Sequence, residues 1–492
     1  MLDLMTIFAL VAVVLTVSGL ASGVVERAPL SFPIVFLGLG FLLGGRGLGV
    51  IDVGPGDAAL EAVAFLVLAL ALFLDAMRLR VGEIGAGGLV PMLSLGPGTV
   101  IIILVVALAA YFLLGLTAIQ SLLVGTILAS TDPVVLRDVV RDERIPRSIR
   151  RALSIEAGTN DIVVLPVLLT LIAVANAEAS GTLGWLTFAG RVFFLGPLIG
   201  FGVGAAGAWI MSKADAAFGI RREYQALYGI GLVLLAFTAG QGSGGDGFLA
   251  AFAAGFAVAI LNFDLCDCFL EYGETTAEAA MLLAFILFGT VISEIAFEAP
   301  IVPSLLLSVV VILVARPLAI GLVLRRAAIS RRARAFIGWF GPRGLNSLLL
   351  ALLVLESGVP GAEFLLAVIG VVVTVSVVAH GATATPLSAL YGRAVERTTL
   401  EEERESTAAG LFGKEGEGVA RVSPEELAEQ LEGPNPPLIL DVRTRSQHER
   451  DGTRIPGSVR VLPDRVQDWA TRYLAEHPDG GPHLPPIAAY CT

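Results

Sequence analysis

Carboxylates stranded in apolar sequence are the residues of this chain that could do chemistry. Asp132 lies in Ala129-Ser-Thr-Asp-Pro-Val134 and Asp161 in Glu156-Ala-Gly-Thr-Asn-Asp161, each between long apolar stretches. An ionisable group at membrane depth costs roughly 2.5–3.5 kcal/mol even on lenient insertion scales, so acids kept there normally serve an ion or proton path. Pro133 lacks a backbone donor and biases Asp132 away from helical geometry, so the span around them is expected to break mid-membrane. A break exposes half-helix ends whose partial charges hold ions at the midplane. The competing reading makes Thr131 and Asp132 a plain cap for a helix starting at Pro133.

In the second acidic segment the spacing separates roles. At about 100° per residue Glu156 and Asn160 share one helix face, whereas Asp161 shares another with the small Ala157 and Gly158, which let a helix or a solvated cavity approach. Asp161 is thereby the ligand-facing carboxylate and Glu156 a structural one. A buried Glu needs a counter-charge, and Arg316, followed by Pro317 inside an apolar run, is expected to supply it; a snorkelling interfacial arginine is the alternative. A second interruption, Gly341-Pro-Arg-Gly344, cuts a late apolar run as Thr131-Asp132-Pro133 cuts an early one. Paired interrupted helices point to inverted repeats with a binding site where they cross, and Arg343 could offset carbonyl ends there. It could equally be a loop arginine of the cytoplasmic side.

The elements that must position these residues are membrane spans. With 55% hydrophobic and 16% charged residues, the chain is far more apolar than a soluble domain, and an all-α polytopic membrane protein is the expected fold class. A window of about 19 residues gives about thirteen spans, near 4–22, 31–46, 57–77, 97–114, 118–138, 148–175, 185–211, 224–240, 246–262, 277–296, 301–324, 334–356 and 363–391. The stretch 83–96, rich in Gly and Pro, reads as a re-entrant or interfacial piece. Met1-Leu-Asp-Leu-Met lacks the basic n-region of a cleaved signal, so the run to Leu20 reads as the first span. Arginines crowd the loops after odd spans, from Arg27 through Arg78 and Arg80, the cluster Arg137 to Arg151, Arg221 and Arg222, Arg325 to Arg334, then Arg393 and Arg397. That asymmetry sets the N-terminus outside and the C-terminus in the cytoplasm of a cell-membrane protein, with the acidic loop Asp264 to Glu274 dissenting. Three cysteines, two of them Cys266 and Cys268, give neither a disulfide framework nor a metal site.

These residues carry a resemblance. Thr131-Asp132-Pro133, Glu156 with Asn160-Asp161, Ala315-Arg316-Pro317, Gly341-Pro-Arg343-Gly344, and Val378-Ala-His380-Gly381 followed by Pro386 stand in the order seen in NhaP-type monovalent cation/proton antiporters, over about residues 1–392. The resemblance implies a homodimer of protomers with about thirteen helices, two of them discontinuous and crossing, and a mobile core that moves like an elevator against a dimerisation domain. It implies that Asp161 and Asp132 bind the cation or protons, that Asn160 supports the site and that Glu156 pairs with Arg316. Asp75, in Leu72-Phe-Leu-Asp75, looks like the family's additional acid. Many relatives place Ser where this chain has Ala157, so Thr131, Ser130 or Thr159 is left to supply a hydroxyl, and Pro342 stands where an apolar residue is usual.

A desolvated carboxylate can be neutralised by a proton or by a dehydrated cation, so competition at Asp161 suffices for exchange. Asn160 stands where some relatives carry a second aspartate, which implies electroneutral one-for-one exchange. Na⁺ is the expected cation, with K⁺ as the alternative within the same fold and Li⁺ a further substrate. No cofactor, no metal other than the transported cation, no nucleic-acid partner and no enzymatic step are expected. A membrane sensor tethering its tail domain and a channel are the competing classes; a channel would not need paired broken helices with compensated acids, and a sensor would not need Asp161.

The tail differs in kind. Residues 393–419 read as a solvated cytoplasmic linker carrying Glu401-Glu-Glu-Arg-Glu405. Residues 420–492 resemble the start of a rhodanese domain: a helix opening at Val422-Ser-Pro-Glu-Glu-Leu427, the strand Pro437-Leu-Ile-Leu-Asp441-Val-Arg443, an Ile455-Pro-Gly-Ser458 turn, and a strand ending at Cys491. Rhodaneses stabilise the cysteine's thiolate in a loop of backbone amides; only Thr492 follows Cys491 here, and Arg454 stands where His is frequent. Sulfur transfer is not expected of it.

Overall fold

In the computed structural model the apolar runs become helices whose ends follow local chemistry. The structure describes residues 31–78, 89–142, 144–261, 274–327 and 329–397, in the tail residues 422, 424–433, 436–443, 448, 453–462, 465–477 and 485–490, and besides these residues 12, 13, 16, 17, 19 and 20. The first expected span, the acidic loop with Cys266 and Cys268, and Cys491 therefore lie largely or wholly outside the described residues. From the second span onward each expected span has a counterpart. α1 is Phe32–Leu43, α2 Ala58–Arg78, α3 Val90–Leu114, α4 Ala118–Ile127, α5 Pro133–Arg141, α6 Arg147–Thr159 and α7 Asp161–Ala175. Next come α8 Gly181–Phe218, α9 Arg222–Gly242, α10 Gly247–Leu261, α11 Glu274–Ile295, α12 Ile301–Val323, α13 Arg331–Trp339, α14 Leu345–Glu356 and α15 Ala362–Arg397.

Among the described residues seven helices are long and apolar enough to cross a membrane, while α1, α4, α10 and α14 are apolar but shorter. For α4 and α14 the shortness is the consequence of the expected interruptions. α4 starts with a capping box, Thr117 Oγ1 accepting from Gln120 N–H while Gln120 Oε1 accepts from Thr117 N–H. One expectation changes in part: of the stretch 83–96 read as re-entrant or interfacial, residues 83–88 lie outside the described residues, and residues 90–96 form the start of α3. Pro97 cannot donate in the ladder, and a π turn over Ser94–Gly98 absorbs the missing bond, so the helix continues through it.

The chain divides into two compact units. The first comprises Met1–Asp138, Ala152–Arg325 and Ile337–Thr385. In it α8 runs close along α10: a Cβ on Gly200 or Gly204, four residues apart, would overlap the backbone of Ala250 or Ala254, the close small-residue packing of helices in membranes. α10 packs in turn on α2, which also meets α11. Leu104, Leu108 and Phe112 of α3 and Leu183, Leu186, Phe194 and Leu198 of α8 are exposed, an outward apolar surface of the kind that faces lipid.

The second unit comprises Val139–Arg151, Arg326–Phe336 and Pro386–Thr492. Phe336 stacks on Tyr391 with ring centroids 4.7 Å apart. α15 continues to Arg397, into the stretch read as linker. The tail holds α16 Pro424–Glu432, α17 Val466–Glu476 and three parallel strands, β1 Leu438–Asp441, β2 Val459–Arg460 and β3 Ile487–Tyr490, in the order β2-β1-β3. Leu440 aligns with Val459 and with Ala489. The expected turn is present, with Ser458 N–H donating to Ile455 O and Gly457 at φ 78°. Arg443 donates from Nε and Nη2 to the two Asp441 carboxylate oxygens, which fixes the end of β1.

Candidate ion site at two interrupted helices

The two breaks leave backbone groups that water would satisfy in a soluble protein and that must be satisfied internally here. Between α4 and α5, residues 128–132 leave helical geometry; between α13 and α14, residues 340–344 do so. Each break serves the other. Asp132 N–H donates to Pro342 O at 2.9 Å. Asp132 Oδ1 accepts from Val134 N–H at 2.7 Å, and Oδ2 from Leu345 N–H at 2.5 Å. One carboxylate thus caps the positive ends of both α5 and α14. At the negative end of α4, Arg343 Nη1 donates to Ala129 O at 2.8 Å and Ser130 O at 2.9 Å, and Ser347 Oγ donates to Ile127 O at 3.1 Å. Arg343 is fully buried, so the loop-arginine reading does not hold.

Gly344 is what lets the two breaks touch, because a Cβ there would overlap the Asp132 carboxylate. Gly344→Ala is therefore expected to destabilise the protein by roughly 1–3 kcal/mol, the range for inserting a carbon into a packed site. Earlier melting of the detergent-solubilised protein is the readout, and unchanged melting would show that the two segments can separate without cost.

Asp161 opens α7 and is 3% exposed. Ser130 Oγ donates to its Oδ1 at 2.7 Å and Asn346 Nδ2 to its Oδ2 at 2.9 Å. Both donors are neutral, one from each break. Asn160 turns to the first break, its Nδ2 donating to Ala129 O at 2.8 Å and Thr131 Oγ1 at 3.0 Å, while its buried Oδ1 has no hydrogen-bond partner among the described residues. Of the three candidate hydroxyls, Ser130 contacts Asp161 and Thr131 contacts Asn160. Thr159 is the correction: its Oγ1 donates to Ile155 O at 2.6 Å, one turn back in α6, the local bond that Thr makes within helices.

Glu156 lies apart from this cluster, as the helical spacing requires. Arg316 Nη1 and Nη2 meet its Oε1 and Oε2 at 2.5 and 3.1 Å, and Arg316 Nε donates to Ile337 O at 3.1 Å. The arginine is 2% exposed, so it does not snorkel, and Gly341 leaves the room that the guanidinium fills. Asp75, on α2, is buried and faces Gly158 of α6; its Oδ1 accepts from Arg78 Nη1 at 3.3 Å and its Oδ2 has no hydrogen-bond partner among the described residues.

A transmembrane family described as sodium/hydrogen exchanger matches residues 10–390, a range that holds both interruptions and Asp161. The chain belongs to this exchanger family. It is 29% identical over 391 residues to the K⁺/H⁺ antiporter NhaP2 of Shewanella sp. (strain MR-4), covering 78% of this chain and 66% of the relative. With the K⁺/H⁺ antiporter NhaP of Alkalimonas amylolytica it shares 27% over 381 residues, 77% of this chain and 65% of that protein. The chain thus spans about two thirds of the length of these relatives. The structure of the sodium proton antiporter MjNhaP1 from Methanocaldococcus jannaschii superposes with a TM-score of 0.65 at 20% identity, covering 79% of this chain and 99% of that one. The exchanger fold accounts for the polytopic helical architecture.

Sequence reasoning overlooked Asn346, the second donor to Asp161. Its signal was available: Asn346-Ser347 is a polar pair in the first turn of an otherwise apolar helix, directly after the Gly-Pro-Arg-Gly interruption.

Proposed function

We propose that this chain exchanges a monovalent cation for protons across the membrane, with Asp161 as the carboxylate for which the two compete. The observation that carries the reading is the contrast between two buried acids: Glu156 has a bidentate arginine, whereas Asp161 accepts from neutral Ser130 and Asn346. An uncompensated buried carboxylate demands a proton or a cation. Asn160 Oδ1, buried without a hydrogen-bond partner among the described residues, and the Thr131 hydroxyl are the neutral oxygens proposed to join it, with Asp132 and Arg343 balancing the helix ends around them and Asp75 as an additional acid. Na⁺ is the proposed cation. K⁺ is the second reading, favoured by the names of the NhaP2 and NhaP relatives.

The likeness to NhaP-type exchangers supports about thirteen spans, a homodimer and an elevator-like core. An N-terminus outside and a cytoplasmic C-terminus are supported by the arginine-rich stretches 141–151, 326–334 and 393–397 gathering in a single compact unit. The parallel order of β2-β1-β3 and the Asp441–Arg443 pair support a rhodanese-like reading of the tail, for which no sulfur transfer is proposed.

Proteoliposomes holding an internal pH dye are expected to change pH on external pulses of Na⁺, Li⁺ or K⁺, and silence with all three would sink antiport. Because one carboxylate charge is balanced by one proton or one cation, the exchange is expected to carry no current. A transport current that responds to membrane potential would rule out the one-for-one stoichiometry.

A further inference from the structure

The C-terminal end of α13 lies inside the apolar body with carbonyls that α14 cannot serve. Arg316 Nε takes Ile337 O, Asp132 N–H takes Pro342 O, and His380 Nε2 lies 3.0 Å from Trp339 O. His380 is on α15 and 2% exposed. The same face of α15, at spacings of one and two turns, touches the interruption twice more: Ser376 Oγ accepts the Arg343 backbone N–H at 2.8 Å, and Thr383 Oγ1 accepts Trp339 Nε1–H at 3.1 Å. Arg343 then reaches Ala129 and Ser130, and Ser130 holds Asp161.

The ring nitrogens distinguish themselves by their surroundings. Nδ1 lies 3.1 Å from Ser376 Oγ and 2.8 Å from Ser376 O. A neutral imidazole carries one N–H. With that proton on Nε2, the ring donates across to Trp339 O, Nδ1 accepts the Ser376 hydroxyl proton and the hydroxyl oxygen receives Arg343 N–H, so both ring nitrogens are bonded, while Nδ1 faces Ser376 O, a carbonyl of the α15 helix itself. With the proton on Nδ1, the ring donates back to Ser376 O of its own helix, and the Nε2 lone pair opposes Trp339 O, which already accepts the Gly341 N–H at 3.0 Å, so two acceptors face each other and α15 loses its bond to the end of α13.

We propose that His380 is a positioning residue for the ion site: as the neutral ring protonated at Nε2 it fastens the end of α13 and, through Ser376, the Arg343 segment to α15. It thereby fixes the interruption from which Arg343 and Asn346 reach the Asp161 site. The inference rests on the antiport reading for its effect on exchange, but not for the tautomer.

Solid-state NMR of the full chain in lipid, with ¹⁵N-labelled histidine, reads the tautomer without any transport; the chain has 4 histidines, and subtracting the His380→Gln spectrum isolates this one. A neutral ring protonated at Nε2 is expected, and either an Nδ1–H ring or an imidazolium overturns the proposal. Exchange kinetics give the second readout. Gln carries its amide nitrogen where Nε2 sits, Asn where Nδ1 sits. His380→Gln is expected to keep the apparent KM for the cation within about threefold of wild type, and His380→Asn to raise it about tenfold with a smaller effect on turnover, tenfold being the scale of one buried hydrogen bond. Equal KM values for the two variants overturn the proposal. Ser376→Ala, measured alongside in case His380→Asn does not fold, is expected to raise KM in the same direction, and an unchanged value overturns it too. If the wild-type protein moves no cation, the antiport reading fails while the spectrum still decides the tautomer.

Discussion

Replacing Asp161 by Asn is expected to abolish cation-driven proton movement while leaving the protein at least as resistant to heat as the wild type. The two effects have opposite signs for one physical reason. The carboxylate is 3% exposed and its hydrogen bonds come from the neutral Ser130 and Asn346, so its charge is held at the expense of stability. Asn keeps the shape, and its carbonyl oxygen still accepts one of the two donors, but it carries neither a proton nor a cation. Removing an uncompensated buried charge relieves an electrostatic cost, and stability gained at a functional residue is the usual counterpart of activity lost there. Exchange measured by the internal pH dye and apparent melting in detergent check the pair of expectations. Retained exchange removes Asp161 from the mechanism. Loss of both activity and heat resistance makes it a structural acid, and the proton would then have to be carried elsewhere, with the buried Asp75 the first place to look.

What could be read from the sequence followed from residues whose chemistry allows few outcomes. Pro133 cannot donate a backbone hydrogen bond, so a break beside Asp132 was legible, and a buried glutamate and a buried arginine in a membrane chain have strong reason to meet. Helical spacing alone separated Glu156 from Asp161. The rest depended on contacts between distant segments. Nothing local shows that Asp132 caps α14 as well as α5, because that requires Leu345 N–H and the open space over Gly344. Thr159 and Ser130 are equivalent as composition, yet one sits inside a helix where its hydroxyl returns to Ile155 and the other sits in the break where it is free to turn to Asp161. Pro97 shows the limit of a Gly-Pro signal, since a π turn absorbs it where a re-entrant or interfacial piece was expected.

Breaking the Glu156–Arg316 pair from one side is expected to cost far more than removing it whole. Glu156→Gln leaves a guanidinium buried beside an amide, and Arg316→Met leaves a carboxylate with no cation; each is expected to destabilise by roughly 3–5 kcal/mol, the range for orphaning one partner of a buried pair. Lys at position 316 is expected to rescue little, because it can neither span both carboxylate oxygens nor offer the Nε–H that Ile337 O receives. The double variant Glu156→Leu with Arg316→Met removes both charges and fills the volume with apolar atoms, a change that is often neutral in protein interiors. Here it is expected to recover most, but not all, of the loss, since Ile337 O at the end of α13 remains without its donor and an unmade buried hydrogen bond costs about 1–3 kcal/mol. Apparent melting of the two single variants and the double variant forms a cycle whose coupling term reads the pair directly. Additive losses would mean that the ion pair is incidental to stability, and that the interruption after α13 is held without it, by Asp132, His380 and the contacts of Arg343.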